Sequence, residues 1–366
     1  MRQLVACLLV LLFLIGGCSP REPLRIGFLG GLSGNVADLG EAGRNGAQIA
    51  IEEANRAGGI NGRQLELIVR DDAQNPEKAI AAANELIAAQ VEAIVGPMTS
   101  AMAEVVLPLA KDAGVVLVSP TVSARKFFGR DDNFFLVMSS TQEEARLSAS
   151  YHFKDSGARR VAAIYDLKNL AYTESWLREF TVAFQQLGGD IFPVAYESSP
   201  DANLGTIVRQ ALNTRPDAVL MITSAVDAAR FSQKLRDRHP DILLFTSQWA
   251  ATDRLIELGG AAVDGMMVHN YYDRDSGSER MTNLRRVYVE RFQREPGFAG
   301  VAAYDATRAV LDGLTRRRGG ESLRDALLLH GPFSGAENDF SFDRFGDSQR
   351  VPHIAVVRDG QFSTVR

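Results

Sequence analysis

Cysteine is nearly absent. The 366 residues hold two, Cys7 and Cys18, both near the N-terminus, so no disulfide framework and no cysteine-based zinc site can be built in the body of the chain. Histidine is scarce and scattered. His152, His239, His269, His330 and His353 show neither H-x₃-H nor H-E-x-x-H spacing, and no metal is expected. Charge of one sign is missing too: 40 Lys and Arg stand against 45 Asp and Glu, a net charge of -5. That balance gives no electrostatic reason to bind DNA or RNA. With 32 Gly and 13 Pro, collagen-like and low-complexity readings fail. Beyond Ile15 no run reaches the ~18 consecutive apolar residues of a membrane span.

Catalytic signatures are missing as well. Gly27 to Gly34 does not fit G-x-G-x-x-G, no Walker sequence occurs, and Gly31-Leu32-Ser33-Gly34-Asn35 fails the nucleophile elbow at its last position. Ser123-Ala124-Arg125-Lys126 does match S-x-x-K, but K-T-G is absent. A Ser-x-x-Lys acyl-transfer enzyme is therefore kept as a distant alternative. The expectation is a protein that is not an enzyme and carries no cofactor.

What is present begins with an address. Arg2 precedes an apolar run from Leu4 to Ile15, followed by Gly16-Gly17-Cys18-Ser19-Pro20. The run is too short to span a bilayer comfortably and fits the core of a signal peptide over residues 1–17. Small residues before a cysteine resemble a bacterial lipobox, which implies lipidation of Cys18. An ordinary signal cut nearby and a short membrane anchor are the alternatives.

From Leu24 onward strands and helices alternate. Arg25–Leu29, Leu65–Val69, Ala93–Val95, Val115–Val118, Val161–Tyr165, Ile191–Tyr196, Ala218–Ile222, Leu243–Thr246 and Met266–His269 read as strands. Helical patterns fill the gaps, for example Glu174–Leu187 and Asp227–Asp237. Asn75-Pro76 predicts an N-cap followed by Pro at the first helical position. Gly58-Gly59 predicts a left-handed helix stop. The alternation argues for α/β architecture with parallel sheets covered on both faces, and so many strands argue for two sheets rather than one. An internal echo supports two similar halves: Glu92–Val95 leads into Thr99-Ser100-Ala101, and Asp217–Leu220 leads into Thr223-Ser224-Ala225. Ligands gather at such carboxyl ends of strands, although the hydroxyls there could simply cap helices.

Further stretches carry a resemblance. They are Asn45-Gly46-Ala47, Ala57 to Gly62, Val69 to Asp72, Ile94 to Pro97 with Ser100, Val118-Ser119-Pro120, Leu258-Gly259-Gly260, Val263-Asp264-Gly265, Ala303 to Ala306 and Phe340 to Gly346. In this order the chain resembles the Leu/Ile/Val-binding-protein family, the type I solute-binding proteins of ABC transporters, over about Leu24 to Phe362. The resemblance implies two doubly wound parallel-sheet lobes joined by three hinge crossings, the type I periplasmic binding fold. Crossings are expected near Val137–Thr141, Met267–Tyr272 and Gly331–Phe342. One lobe would comprise 24–138 plus 270–333, the other 139–269 plus 334–366.

The function implied is an exported, substrate-binding lipoprotein of an ABC importer, periplasmic or on the cell surface, held to the membrane through Cys18. It would be a monomer that captures a small amphipathic solute, an amino acid or a related carboxylate or amide, and hands it to the membrane subunits of a permease. A ligand-sensing receptor of the same fold is the alternative. By resemblance, Ser100, Thr121 and Ser123, with Met98 and Thr99 nearby, would hold a ligand carboxylate. Tyr172, Ala225 and Trp249 would contact the ligand from the second lobe. Trp249 falls where the amino-acid binders of the family place an acid, and Leu39 where they place an aromatic. Asp38 and Asp227 are therefore candidates for the missing anion, and a ligand lacking an ammonium group stays open.

Overall fold

A computed structural model describes residues 21–365 apart from residue 275. The leader and Cys18 lie outside the described residues.

The first half runs β1 (Leu24–Gly30), α1 (Ala37–Arg56), β2 (Leu65–Asp71), α2 (Pro76–Ala88), β3 (Ala93–Val95), α3 (Ser100–Asp112), β4 (Val116–Ser119) and β5 (Phe134–Leu136). These strands form one parallel sheet in the order β2-β1-β3-β4-β5, with Ile26 opposite Leu67 on one side and Ala93 on the other. The second half runs α4 (Thr141–Lys154), β6 (Arg160–Asp166), α5 (Leu170–Gln186), β7 (Asp190–Tyr196), α6 (Leu204–Asn213), β8 (Ala218–Ile222), α7 (Ala225–Arg236), β9 (Leu243–Thr246), α8 (Asp253–Gly259) and β10 (Met267–Asn270). Its parallel strands repeat the same winding, β7-β6-β8-β9-β10. The chain continues through α9 (Glu279–Phe292), α10 (Gly297–Arg316), α11 (Leu323–Leu329) and a short hairpin of β11 (Phe333–Ser334) and β12 (Asp339–Phe340). β13 (His353–Arg358) and β14 (Gln361–Thr364) extend the second sheet antiparallel at its β10 edge. The second sheet is therefore mixed, not purely parallel.

Local chemistry explains the elements. All five residues of β8 are buried, as expected of a strand covered by helices on both faces. Asn75 caps α2 by accepting from the Lys78 N–H at 3.0 Å, with Pro76 beginning the helix. Gly58 and Gly59, at φ 102° and 74°, end the turn after α1. Gly46 of α1 faces the Gly300 carbonyl of α10, and a Cβ there would lie 2.0 Å from that oxygen. This close approach seats α10 directly against α1.

The chain leaves the first sheet after β5 and the second sheet after β10. The hairpin of β11 and β12 falls within the expected third crossing, Gly331–Phe342. Residues 343–348 still run beside β5: Leu136 donates to the Gly346 carbonyl at 2.9 Å, and Ser348 donates to the Leu136 carbonyl at 2.9 Å. An aromatic contact helps hold the segment there, the Phe342 ring meeting Phe135 edge to face with centroids 5.0 Å apart. Only beyond Ser348 does the chain pass to β13. Residues 343–348 thus lie against the first sheet, while 353–364 extend the second.

The crossings are tied together by one buried carboxylate. Asp305 of α10 accepts from the Tyr271 hydroxyl at 2.9 Å, from the Ala336 N–H at 2.6 Å and from Arg350 at 2.9 Å. Ser139 completes the tie, donating to the Arg350 carbonyl at 2.6 Å and accepting from its N–H at 3.0 Å.

Candidate functional site

In both sheets the strand order 2-1-3-4-5 reverses direction between its first and third strands. Crevices at such reversals, beyond the carboxyl ends of the strands, are where open α/β sheets bind ligands. In the first sheet this end carries Gly96, the cis bond to Pro97, Met98, Thr99 and the start of α3. In the second it carries Asp166, Asn169 and the start of α5.

The two ends face each other and touch. The Ala101 N–H, in the first turn of α3, donates to Asn169 Oδ1 at 3.0 Å. The Arg125 N–H donates to Ser175 Oγ at 3.1 Å, Asn35 Nδ2 to Ser198 Oγ at 3.0 Å, and the Thr252 hydroxyl to Asp38 at 2.5 Å.

Between them lies a narrow cavity, with the two walls closed to about 20 Å³ of open space. Met98, Thr99, Ser100, Thr121, Ser123, Tyr172 and Trp249 all line it. Ala225, the first residue of α7, is buried but does not line it.

The hydroxyls of the two echoing segments behave differently. Ser224 caps α7, accepting from the Asp227 N–H at 3.4 Å. Thr99, at the N-cap position of α3, makes no capping bond and donates instead to Gln74 Oε1 at 2.9 Å. Thr121 donates to the Met98 carbonyl, and Ser100 Oγ receives the Ala124 N–H at 3.4 Å. Capping thus accounts for Ser224 and not for Ser100. The N-terminus of α3 adds a partial positive charge, and among the lining residues there is no Lys, Arg or His. Peptide dipoles and hydroxyl donors are what this wall offers an anion.

The opposite wall is aromatic. Tyr172 and Trp249 meet edge to face with centroids 5.9 Å apart. The Tyr172 hydroxyl is buried with no hydrogen-bond partner. Burial and the nearby Glu144 hold its proton on well above the ordinary tyrosine range.

Neither proposed anion faces the cavity. Burial pushes the Asp38 carboxyl up and the Thr252 hydroxyl draws it back. Asp227 is taken by the Tyr196 hydroxyl at 3.0 Å and by Arg230 at 3.2 Å. The carboxylate in the lining is Glu144 of α4, only 1% exposed. With the Gln248 amide oriented to satisfy both of its ends, Gln248 donates to Glu144 Oε1 at 2.8 Å and accepts from the Tyr271 N–H at 2.6 Å. Glu144 Oε2 has no partner of bonding geometry. Burial pushes this carboxyl up to about 8, the neighbouring Trp176 indole drawing it down in part and Glu143 adding to the rise.

Sequence reasoning also passed over Asn169, Gln248, Met138 and Phe298, which complete the lining. One signal for Glu144 was available. It falls on the same helical face as Ala145, Ser148, Ala149 and His152, all buried, and an acid within a buried stripe is unusual.

The acyl-transfer pair does not come together. Ser123 lines the cavity, while Lys126 is half exposed, pairs with Glu104 and borders a separate surface hollow. Asp71 and Asp72 form a turn, accepting from the N–H groups of Leu32, Ala73 and Gln74. Among the described residues no group of three or more His, Cys, Asp or Glu is placed to hold a metal ion, and no helix is long and apolar enough to cross a membrane.

A sequence profile described as "Periplasmic binding protein" matches residues 23–347. Leu/Ile/Val-binding protein homolog 3 of Brucella melitensis biotype 1 is 25% identical over 330 residues, covering 88% of each chain. The fold is shared with the branched-chain amino acid transporter substrate binding protein of Streptococcus pneumoniae solved in complex with isoleucine. There the TM-score is 0.86 at 21% identity, over 94% of this chain and 99% of that one. It is shared equally with an ABC transporter solute binding protein from R. palustris in complex with benzoate, at TM-score 0.84 and 19% identity, over 94% and 95% of the two chains.

Proposed function

The chain belongs to the periplasmic binding protein family, and from that premise we propose that it is the substrate-binding component of an ABC importer of the branched-chain amino acid type. It captures one small amphipathic carboxylate between two lobes and presents it to a permease. The observation that carries this reading is the cavity where the two strand-end crevices meet: hydroxyls and a helix N-terminus on one side, Tyr172 and Trp249 on the other. Binding needs groups that favour the closed, ligand-filled state over the open one, not a reactive nucleophile.

In this reading Ser100, Thr121 and Ser123, with Thr99 and Met98, hold the ligand carboxylate. Tyr172 and Trp249 pack on its apolar part. The lobes are 24–138 plus 270–348 and 139–269 plus 349–366, redrawn at the third crossing. The isoleucine and benzoate held by the two structural relatives bracket the ligand class, since both pair a carboxylate with an apolar body. Cys18 anchors the mature protein, as a monomer, outside the cytoplasm.

The test is a calorimetric and thermal-shift panel of the twenty amino acids with aliphatic and aromatic carboxylates. A specific ligand at about 100 times its Kd raises stability by roughly 2.7 kcal/mol. Ser100→Ala combined with Ser123→Ala should abolish the shift while leaving the unliganded melt nearly in place. A panel without a single binding carboxylate would overturn the proposal.

A further inference from the structure

Arg316-Arg317-Arg318 is a run of three cations at the end of α10, and none of the three lines the cavity. The fold carries this run to the end of the first sheet farthest from the cavity. α1 leaves the carboxyl end of β1 and returns to the amino end of β2. α10 runs beside it in the same direction: Gly46 meets Gly300, and further along Glu53 accepts from the Tyr304 hydroxyl at 2.7 Å. Both helices therefore finish at the amino ends of the strands, α1 at Arg56 and α10 at Arg316. There Arg317 pairs with Glu92 at 3.7 Å, and the Glu92 N–H donates to the Arg25 carbonyl at the start of β1 at 2.8 Å.

The chain enters the fold at this same end. Arg63 Nε donates to the Glu22 carbonyl at 2.9 Å, and the Leu24 N–H donates to the Gln64 carbonyl at 2.8 Å. Ser19, Pro20 and Arg21 are the three residues between Cys18 and Glu22. Four steps of chain span at most about 14 Å. A lipid on Cys18 thus keeps this end within about 14 Å of the headgroups, close to the ~8–10 Å over which a surface potential acts. The cavity lies beyond the other end of β1, roughly 20 Å away along the strand at ~3.3 Å per residue.

Charge at this end is unevenly paired. Arg56, Arg316, Arg317 and Arg318 are all exposed. A cation in the last turn of a helix complements its dipole, which accounts for Arg56 and Arg316. It does not account for Arg317 and Arg318, which follow the helix. Glu52 and Glu321 are near enough to feel Arg56 and Arg318. Among the described residues, however, no carboxylate makes an ion pair with the guanidinium of Arg56, Arg63 or Arg318; Arg56 and Arg63 bond carbonyls instead. The chain as a whole carries a net charge of -5, so an anionic surface repels most of it and draws in only a patch of this kind.

Resting on the reading above that Cys18 carries a lipid, we propose that the amino end of the first sheet, with Arg56, Arg63 and Arg316 to Arg318, is a docking surface for anionic phospholipid headgroups. The lipid brings this end to the bilayer, and the arginines turn it down onto the headgroups, their guanidinium forks binding phosphate. Each arginine brought to an anionic leaflet tightens the contact about fivefold.

The experiment places one fluorophore on the lipidated protein. With Cys18 acylated and the leader carrying Cys7 removed, the chain has no other thiol, so one introduced cysteine is labelled uniquely. Gly319→Cys sets the probe beside the basic run, where a Cβ meets nothing within 4 Å. His239→Cys sets it at the opposite pole, exposed ahead of β9 at the amino end of the second sheet. Each protein is reconstituted in phosphatidylcholine vesicles with and without about one-third phosphatidylglycerol, and quenching by headgroup spin-labelled lipid is read. Quenching at Gly319→Cys should be at least about threefold stronger on the anionic vesicles. It should fall to the phosphatidylcholine level in high salt, and likewise when Arg56→Gln, Arg317→Gln and Arg318→Gln are combined. Quenching at His239→Cys should stay low throughout. Equal quenching on the two vesicles, no response to salt, or equal quenching at the two sites would overturn the proposal and leave the anchor standing. The salt series on the native arginines decides the matter even if the triple variant folds poorly. A protein that takes up no fatty acid at Cys18 and stays in the soluble fraction would instead overturn the reading on which the proposal rests.

Discussion

Asp305→Ala should be the most damaging single substitution near the hinge, and its size follows from burial. The Asp305 side chain is 1% exposed and that of Arg350 10%, with 2.9 Å between their charged atoms. This is far from the surface regime, where an ion pair contributes about 0–1 kcal/mol. Removing one partner of a buried pair typically costs about 3–5 kcal/mol, because the other charge is left uncompensated. Here the Tyr271 hydroxyl and the Ala336 N–H lose their acceptor too, so the upper half of that range is expected. Burial itself pushes the Asp305 carboxyl upward against the pull of Arg350 and its hydrogen-bond donors, which means the pair contributes little beyond offsetting its own desolvation. Replacing both partners, Asp305→Leu with Arg350→Met, should therefore recover most of the loss. The assay is urea unfolding of the wild type, both single variants and the double variant, read as a thermodynamic cycle. A loss below about 1 kcal/mol in Asp305→Ala, on the scale of exposed pairs, would refute the argument, as would singles that simply add in the double variant.

Other outcomes follow from the same structure. Trp249→Ala removes one face of the aromatic wall and should weaken L-leucine at least tenfold in calorimetry, on the scale of about 1.4 kcal/mol per factor of ten. The Glu144 carboxyl has a folded value of about 8, raised above its unfolded one. The folded state thus holds a proton that the unfolded state releases, and the stability of the unliganded protein should fall as pH rises from about 5 to 8. Glu144→Gln removes that loss, so its advantage over the wild type in thermal melts should grow across this window. Cys18→Ser should move the protein from the membrane fraction to the soluble fraction of fractionated cells and abolish labelling by a radioactive fatty acid.

The winding of both sheets was legible because each strand is a short apolar block between strong punctuation, such as Gly58-Gly59 or Asn75-Pro76. The hydroxyl end of the cavity could be found for a related reason. Thr99 and Ser100 follow directly on a strand and a Gly-Pro break, where the topology places a crevice. Glu144 was hidden by its own position. An acid in the first turn of a helix ordinarily complements the dipole from the surface, and only the packing of α5 and Gln248 over it makes it interior. Asn169 and Gln248 lie in single-turn 3-10 segments, which leave no periodic trace. The run of residues 343–348 beside β5 left no trace in the sequence because two backbone bonds and the edge-to-face ring of Phe342 hold it, a pairing too short to produce alternation.

Trp176 and Trp249 are the two tryptophans of the whole chain. One is sealed beside Glu144 and His269, and the other stands in the cavity wall. Their emission is therefore a native optical gauge of occupancy. Trp249 would respond to the solute touching its ring, so uptake could be followed in real time without attaching any dye.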